Sequence, residues 1–447
     1  MANPETIAAV ATPPGQGGVG IVRVSGPDLT AVAAGLLGRL PTPRLATHAD
    51  FFAGDGSVID NGIALYFRAP HSYTGEDVLE FQGHGGPVVI HMVLRRCQEL
   101  GARLAEPGEF TRRAFLNGKI DLAQAESVAD VIAAASESAV RCAVRSLRGE
   151  FSASVDEIDR GLLELRKYVE ATLDFPEEDI DETDRVEINH RLSHLINHVS
   201  VTLDKARQGS LLREGVTAVL AGRPNVGKSS LMNRLAGEEV SIVTATPGTT
   251  RDALKHSINL GGIPVRFIDT AGLREAAEEI EAIGIQKSWK AIEEADLVLF
   301  VVDAKLGWTT DDESLFGRFP TRIPAVVIFN KSDLVEPQSG AKFASRTGSE
   351  IFVSAKTGDG IEKLTEMARK ACGLTAPLED VFLGRARHLE ALAKSLDALV
   401  RAQVQIDAPE LMAEELRFAH RAFGSITGQI TADDLLGEIF SSFCIGK

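Results

Sequence analysis

The spacing of apolar residues divides the chain into four stretches of different texture. Up to about residue 117, short β-branched runs alternate with Gly- and Pro-rich segments. IVRVSG (21–26) and IALYF (63–67) predict strands and PVVIHMVLRRCQEL (87–100) a helix, so this region is mixed α+β. From about 118 the period turns helical. Leu122, Ala125, Ala129, Ile132 and Ala139 recur at helical steps, with a further turn to Cys142, and a second run passes through Ile158, Leu162, Leu165 and Val169. From about 215 apolar runs alternate with helical ones: VTAVLAG, KSSLMNRLAG, PVRFIDTAG, ADLVLFVVDA, AVVIFN, EIFVSAK and IEKLTEMARKACG. That alternation predicts a parallel sheet with helices on both faces. After Pro377 the chain is helical again, with Leu389, Leu392, Leu396 and Leu399 in step.

Composition narrows the class. The 447 residues carry a formal charge of -16, with 25% charged and 44% hydrophobic residues, which is the make-up of a multidomain globular protein. The clearest apolar run, Leu297–Val302, is far too short to span a bilayer, and MANPETIAAV lacks the basic start of a secretory signal. A cytoplasmic protein without a membrane anchor is expected. Cys97, Cys142, Cys372 and Cys444 show no CxxC pairing, which disfavours disulfides and zinc. The acidic balance disfavours broad, unaided nucleic-acid binding. DFPEEDIDETD (174–184) lacks the Gly and final Glu of a calcium loop and reads as a solvated linker.

GRPNVGKS (222–229) follows an apolar strand and opens a helix. A glycine, four residues and Gly-Lys-Ser make a loop whose N–H groups converge on phosphate oxygens. Lys228 is expected at the β- and γ-phosphates and Ser229 on Mg²⁺. GTTRD (248–252) offers Thr250 as a second Mg²⁺ ligand. DTAG (269–272) offers Asp269 to Mg²⁺ through water, and the Gly272 N–H to the γ-phosphate. In NKSD (330–333), Asp333 accepts from the two donors of guanine's edge, a pair adenine lacks. SAK (354–356) would add a backbone N–H to the guanine oxygen. The order of these motifs predicts GTP and GDP binding by Asn225, Val226, Gly227, Lys228, Ser229, Ser230, Thr244, Ala245, Thr246, Pro247, Gly248, Thr249, Thr250, Asp269, Thr270, Ala271, Gly272, Asn330, Lys331, Asp333, Ser354, Ala355 and Lys356. Where a Ras-like enzyme has a water-orienting Gln, this chain has Leu273. Catalysis therefore needs another polar group and another positive charge. Arg274 and the acids of 274–285 are nearby. GQGGVG (15–20) matches a dinucleotide fingerprint by spacing, but a strand follows it instead of a helix, so it reads as a glycine-rich turn.

GRPNVGKSSLMN, TPGTTRD, DTAGLR and the terminal CIGK resemble the MnmE (TrmE) family of bacterial tRNA modification GTPases. So do ATPPGQGGVGIVRVSG, HSYTGEDVLEFQGHGGP and EPGEFTRRAFLNGKIDLAQAE. The resemblance spans the chain. It implies a multidomain α/β and α protein: an α+β N-terminal folate-binding and dimerisation domain (1–117), a discontinuous helical domain (118–210 and 376–447) and an inserted Ras-like P-loop G domain (211–375). It implies a homodimer that acts with a flavoprotein partner, MnmG (GidA), on which FAD is expected. Together they add an aminomethyl-type group to C5 of the wobble uridine of tRNA, reached mainly through the partner. It also implies K⁺ in the place of an arginine finger, held by Asn225, Thr244, Thr246 and Thr249, with Glu281 as the catalytic residue acting on water.

By the same resemblance Arg23, Glu80 and Lys119 contact a tetrahydrofolate derivative. A carboxylate such as Glu80 suits the amino-pyrimidinone edge of a pterin. The CIGK tail is expected to reach that pocket, with Lys447 pairing folate carboxylates and Cys444 serving transfer chemistry or packing. His71 and His84 read as structural histidines. The alternative is a GTP-dependent assembly switch of the Era or Der type acting on ribosomes, which these motifs resemble only over about 215–375.

Overall fold

A computed structural model describes residues 5–174, 182–238, 257–268, 292–335, 349–377, 380–428 and 433–441, with Phe443, Cys444 and Gly446. The acidic segment read as a linker lies mostly outside them. The chain forms two compact units. One holds the residues up to Ala129 and those from Arg421 onward; the other is Asp130–His420.

The first unit is built on a six-stranded sheet of order β3-β4-β5-β2-β1-β6. Its strands are β1 (Ile7–Val10), β2 (Gly17–Gly26), β3 (Thr47–Phe52), β4 (Val58–Phe67), β5 (Asp77–Gly85) and β6 (Arg103–Leu104). All pairings are antiparallel except β1 with β6. Side chains alternate between faces. Val22, Val24, Leu79 and Phe81 bury against the helices Thr30–Leu37 and Pro87–Glu99. Arg23 and Glu80, one step along, therefore lie on the opposite face. The glycine-rich turn is shorter than its sequence suggests, because β2 begins at Gly17. Gly20 and Gly85 belong to the paired strands: a Cβ on Gly20 would overlap Ile90, and one on Gly85 the Gly17 carbonyl.

The second unit contains a sheet of order β12-β11-β10-β7-β9-β8. Its strands are β7 (Val216–Ala221), β8 (Ser257–Leu260), β9 (Ile263–Ile268), β10 (Leu297–Asp303), β11 (Ala325–Asn330) and β12 (Glu350–Phe352). It is parallel except for the hairpin β8–β9. The centre of the sheet is buried on both faces, as parallel sheets usually are. Leu297, Leu299 and Val301 join one core, Val298, Phe300 and Val302 the other. In the helical part, Ile158, Leu162, Leu165 and Val169 of the helix Glu150–Asp174 are fully buried. The helix Glu182–Glu214 contributes Ile188, Leu192, Leu195, Val199 and Leu203. The helix Ala386–Val404 packs beside it, with Gln403 donating to Asn189 Oδ1 at 2.8 Å. The periodic run through Cys142 is two helices, Leu122–Ala133 and Glu137–Leu147. Ser136 ends the period: it is extended, and its hydroxyl accepts the Ala139 N–H at 3.2 Å as an N-cap. Ile132, expected on the buried stripe, is 51% exposed.

Candidate functional site

The phosphate loop joins β7 to the helix Lys228–Glu238. Its backbone explains its glycines. Gly222 has φ +140° and Gly227 φ +96°. A Cβ on Gly222 would overlap the Val301 carbonyl of the neighbouring strand, and one on Gly227 would overlap Asn330 Nδ2. The loop thus delivers the first free amides of a helix N-terminus to one point, where an anion is favoured. Ser229 and Ser230 are exposed there. The Lys228 ammonium curls over the loop, donating to the Gly222 carbonyl at 2.6 Å and the Arg223 carbonyl at 2.8 Å.

The NKSD and SAK motifs close the far side. Asn330, at the end of β11, is 2% exposed. Its Nδ2 donates to the Val226 carbonyl at 2.9 Å, and its Oδ1 accepts the Ala355 N–H at 3.0 Å. One carboxamide therefore ties the phosphate loop to SAK. The Ala355 amide, a candidate for the guanine oxygen, is engaged with that carboxamide. Lys331 Nζ donates to the Asn225 carbonyl at 2.7 Å and to Asp303 Oδ2 at 2.6 Å. Asp333 is exposed, and its Oδ1 accepts the Ser354 hydroxyl at 2.7 Å. Ser354 Oγ accepts in turn from Thr357 N–H at 3.1 Å. The structure thus brings together Asn225, Val226, Gly227, Lys228, Asn330, Lys331, Asp333, Ser354 and Ala355. Lys356 is exposed, and its carbonyl accepts Arg234 Nη2 at 2.6 Å while Arg234 Nε donates to the Ala355 carbonyl at 3.0 Å. Sequence reasoning missed Arg234 and Asp303. Asp303 had one signal, its position at the end of a buried parallel strand, where ligands of α/β sheets gather. Thr244–Thr250, Asp269–Gly272, Leu273, Arg274 and Glu281 lie outside the described residues.

A second cluster sits on the other face of the first sheet, beside the buried Phe110. Arg23 and Glu80 are register partners across β2 and β5, and their side chains form an ion pair at 2.9 Å. The Arg23 guanidinium lies 5.8 Å from the ring centroids of Tyr73 and Phe110, within cation–π range. Tyr73 shares a 2.8 Å hydrogen bond with Thr111. Lys119 donates to the Pro70 carbonyl at 2.9 Å, on the loop that carries Tyr73. The tail reaches the same cluster: Arg23 Nη1 approaches the Gly446 carbonyl at 3.5 Å, and the Gly108 N–H donates to the Cys444 carbonyl at 3.4 Å. A Cβ on Gly446 would overlap the Val10 carbonyl. Cys444 is exposed. Lys447 is outside the described residues. Sequence reasoning missed Tyr73, although it lies within the HSYTGED string. His71 and His84 are both exposed. The His84 side chain is 72% exposed and its Nδ1 meets Asp60 Oδ1 at 2.7 Å.

No helix of the described residues is long and apolar enough to cross a membrane. A family model for the GTP-binding protein TrmE N-terminus matches residues 6–119, and one for the MnmE helical domain matches residues 122–444. The tRNA modification GTPase MnmE of Nitrosomonas europaea is 53% identical over 452 residues, covering all of both chains. That of Dechloromonas aromatica is 54% identical, with 99% of each chain covered, and that of Azoarcus sp. 54%, with 99% of this chain and 98% of the other. These matches run through both units and are not confined to the phosphate-loop region. The chain belongs to the MnmE (TrmE) family of tRNA modification GTPases and is a GTP-hydrolysing enzyme of multidomain α/β and α architecture.

Proposed function

We propose that this GTPase is K⁺-dependent and that, with a flavoprotein partner of the MnmG (GidA) type carrying FAD, it drives folate-dependent aminomethyl-type modification of C5 of the tRNA wobble uridine. The observation that carries the reading is the presence of two sites in one family member: a phosphate loop tied through Asn330 to SAK, with the Asp333 carboxylate held by Ser354, and a separate Arg23–Glu80 pair beside Tyr73 and the chain's tail. The division into 1–117, 118–210, 211–375 and 376–447, the homodimer and the cytoplasmic location belong to the same proposal.

The donors present suit the expected ions. Ser229 puts a hydroxyl at the helix N-terminus for Mg²⁺, with Thr250 and Asp269 as its other protein donors. Asn225, exposed on the loop, offers only oxygen and amide chemistry, which with Thr244, Thr246 and Thr249 makes a hard, oxygen-rich site suited to K⁺. K⁺ would supply positive charge in the place of an arginine finger. Lys228 neutralises charge on the β- and γ-phosphates, and Glu281 orients the attacking water that Leu273 cannot. In the N-terminal cluster the Glu80 carboxylate takes the donor edge of a pterin, while Arg23, Lys119 and Lys447 take carbonyl or carboxylate oxygens. Cys444, exposed in the same tail, serves transfer chemistry or packing in this reading.

Hydrolysis measured in K⁺ and in Na⁺ tests the first half. A large fall in turnover in Na⁺, with GTP affinity nearly kept, is expected, since the ion acts on transition-state charge. Equal rates would sink it. Nucleoside mass spectrometry of tRNA from a deletion strain tests the second: the wobble-uridine modification should disappear, and its persistence would leave an assembly switch as the better reading.

A further inference from the structure

Among the described residues, three non-glycine residues have positive φ: Arg44, Asn225 (+63°) and Lys331 (+66°). The last two are joined to each other by one hydrogen bond, from Lys331 Nζ to the Asn225 carbonyl at 2.7 Å. A left-handed conformation costs a residue such as Lys331 about 1 kcal/mol or more, though Asn adopts it more readily, and it persists where the surroundings hold it. Two such residues on opposite sides of a nucleotide site therefore call for a third group that fixes the bond between them.

That group is Asp303. It ends β10 and is the register partner of Asn330 on β11. Its side chain is 13% exposed, less than the lysine it faces at 33%. Oδ2 accepts from Lys331 Nζ at 2.6 Å and Oδ1 accepts the Lys305 N–H at 2.9 Å, so both oxygens are fixed. The Asn330 carbonyl is held as well, by the Ala304 N–H at 2.8 Å. The carboxylate is thus a rigid anchor, and the ammonium is a bridge from it to the phosphate loop.

We propose that Asp303 is a positioning residue of the guanine-nucleotide site, which through Lys331 holds the Asn225 carbonyl and sets the phosphate loop in its binding conformation. Among the described residues, the tie from Asp303 to the Asn225 carbonyl runs through Lys331. The bridge runs across the C-terminal ends of three adjacent strands, β7, β10 and β11, and couples the base-reading side to the phosphate side. The inference rests on the reading of 222–229 and 330–333 as the nucleotide site.

The test is a double-mutant cycle on the full chain, read as GDP affinity by calorimetry. Asp303→Asn keeps the shape but removes the charge that holds the ammonium, and should weaken GDP binding about tenfold. Lys331→Met keeps the aliphatic stem and should weaken it at least as much. The double variant should bind no worse than Lys331→Met alone, because the carboxylate acts only through the lysine. Additive losses, or unchanged affinity in Asp303→Asn, would overturn the role of Asp303. Unchanged affinity in Lys331→Met would overturn the assignment of the site itself. Should Asp303→Asn fail to fold, the wild-type chain is read by NMR of lysine ammonium groups, with Lys331 assigned by its loss from Lys331→Met. Slow proton exchange supports the anchored bridge, and exchange as fast as that of the exposed lysines overturns it.

Discussion

At the scale of single residues, the proposed base choice rests on Asp333. Asp333 is exposed, and one of its oxygens takes a hydrogen bond from the buried Ser354 hydroxyl, so its carboxylate is oriented before any base arrives. Asp333→Asn replaces an acceptor pair by a donor and an acceptor, which suits the extra carbonyl of xanthine. GTP should weaken by roughly a hundredfold and xanthosine triphosphate should gain. Competitive nucleotide titration checks this, and an unchanged preference would mean that NKSD does not read the base. Among the cysteines, burial pushes the Cys97 and Cys372 thiols up to about 12 and raises that of Cys142, which leaves them poor nucleophiles. Cys444 differs by being exposed. Its exposure could not be read from FCIGK, because it depends on where the chain end docks.

At the scale of elements, periodicity located what is regular and missed what is set by one polar group or one pairing. The stripe Ile158, Leu162, Leu165 and Val169 is buried as its spacing requires. β8 was not legible, because SINL gains its strand character only by pairing antiparallel with β9. The Ser136 cap was equally local: a hydroxyl, not a change of period, splits the helix. The phosphate loop and NKSD were legible because their chemistry demands fixed residue types at fixed spacing. Arg234 was not, since its contacts with the Ala355 and Lys356 carbonyls exist only after folding. One element carries a pH-dependent tie. The helix Glu109–Leu116 begins with Glu109. Burial would raise the pKa of this carboxyl, but hydrogen bonds from Arg103, the Glu106 N–H and Arg113 outweigh it and hold the value at about 2. A depressed folded-state pKa gives stability that is present above the unfolded value of 4.5 and lost as pH falls toward 2. Urea unfolding across that window should show a smaller loss of stability in Glu109→Gln than in the wild type. Equal slopes would mean the ion cluster does not feel the proton.

At the scale of the whole molecule, the nucleotide-binding sheet is an insertion, and the chain must pass into it and out of it through one neck. One residue, Gly215, separates the incoming helix Glu182–Glu214 from β7, and the outgoing chain regains helix at Ala386. The two passages are locked together. Gln208 Oε1 accepts the Thr375 and Ala376 amides at 2.9 and 2.7 Å. Gly209 abuts the Phe382 carbonyl and Gly384 the Ala206 carbonyl, with no room for a Cβ at either place. At the base of the neck Asp130 Oδ1 accepts from Arg213 Nε at 3.0 Å and Arg385 Nη2 at 2.8 Å. One carboxylate therefore joins the helix Leu122–Ala133, the incoming chain and the outgoing chain. Asp130 is buried and Arg385 nearly so, while Arg213 is more open to water and loses less if unpaired. Breaking a buried ion pair from one side leaves an uncompensated charge, at a cost of about 3–5 kcal/mol. Asp130→Ala should fall between that cost and the ~1 kcal/mol of an exposed pair in urea unfolding, because Arg385 and Arg213 keep other interactions. Asp130→Asn keeps an acceptor and should lose less. A loss below about 1 kcal/mol in Asp130→Ala, the scale of an exposed pair, would show that the glycine contacts and Gln208 hold the neck without the carboxylate.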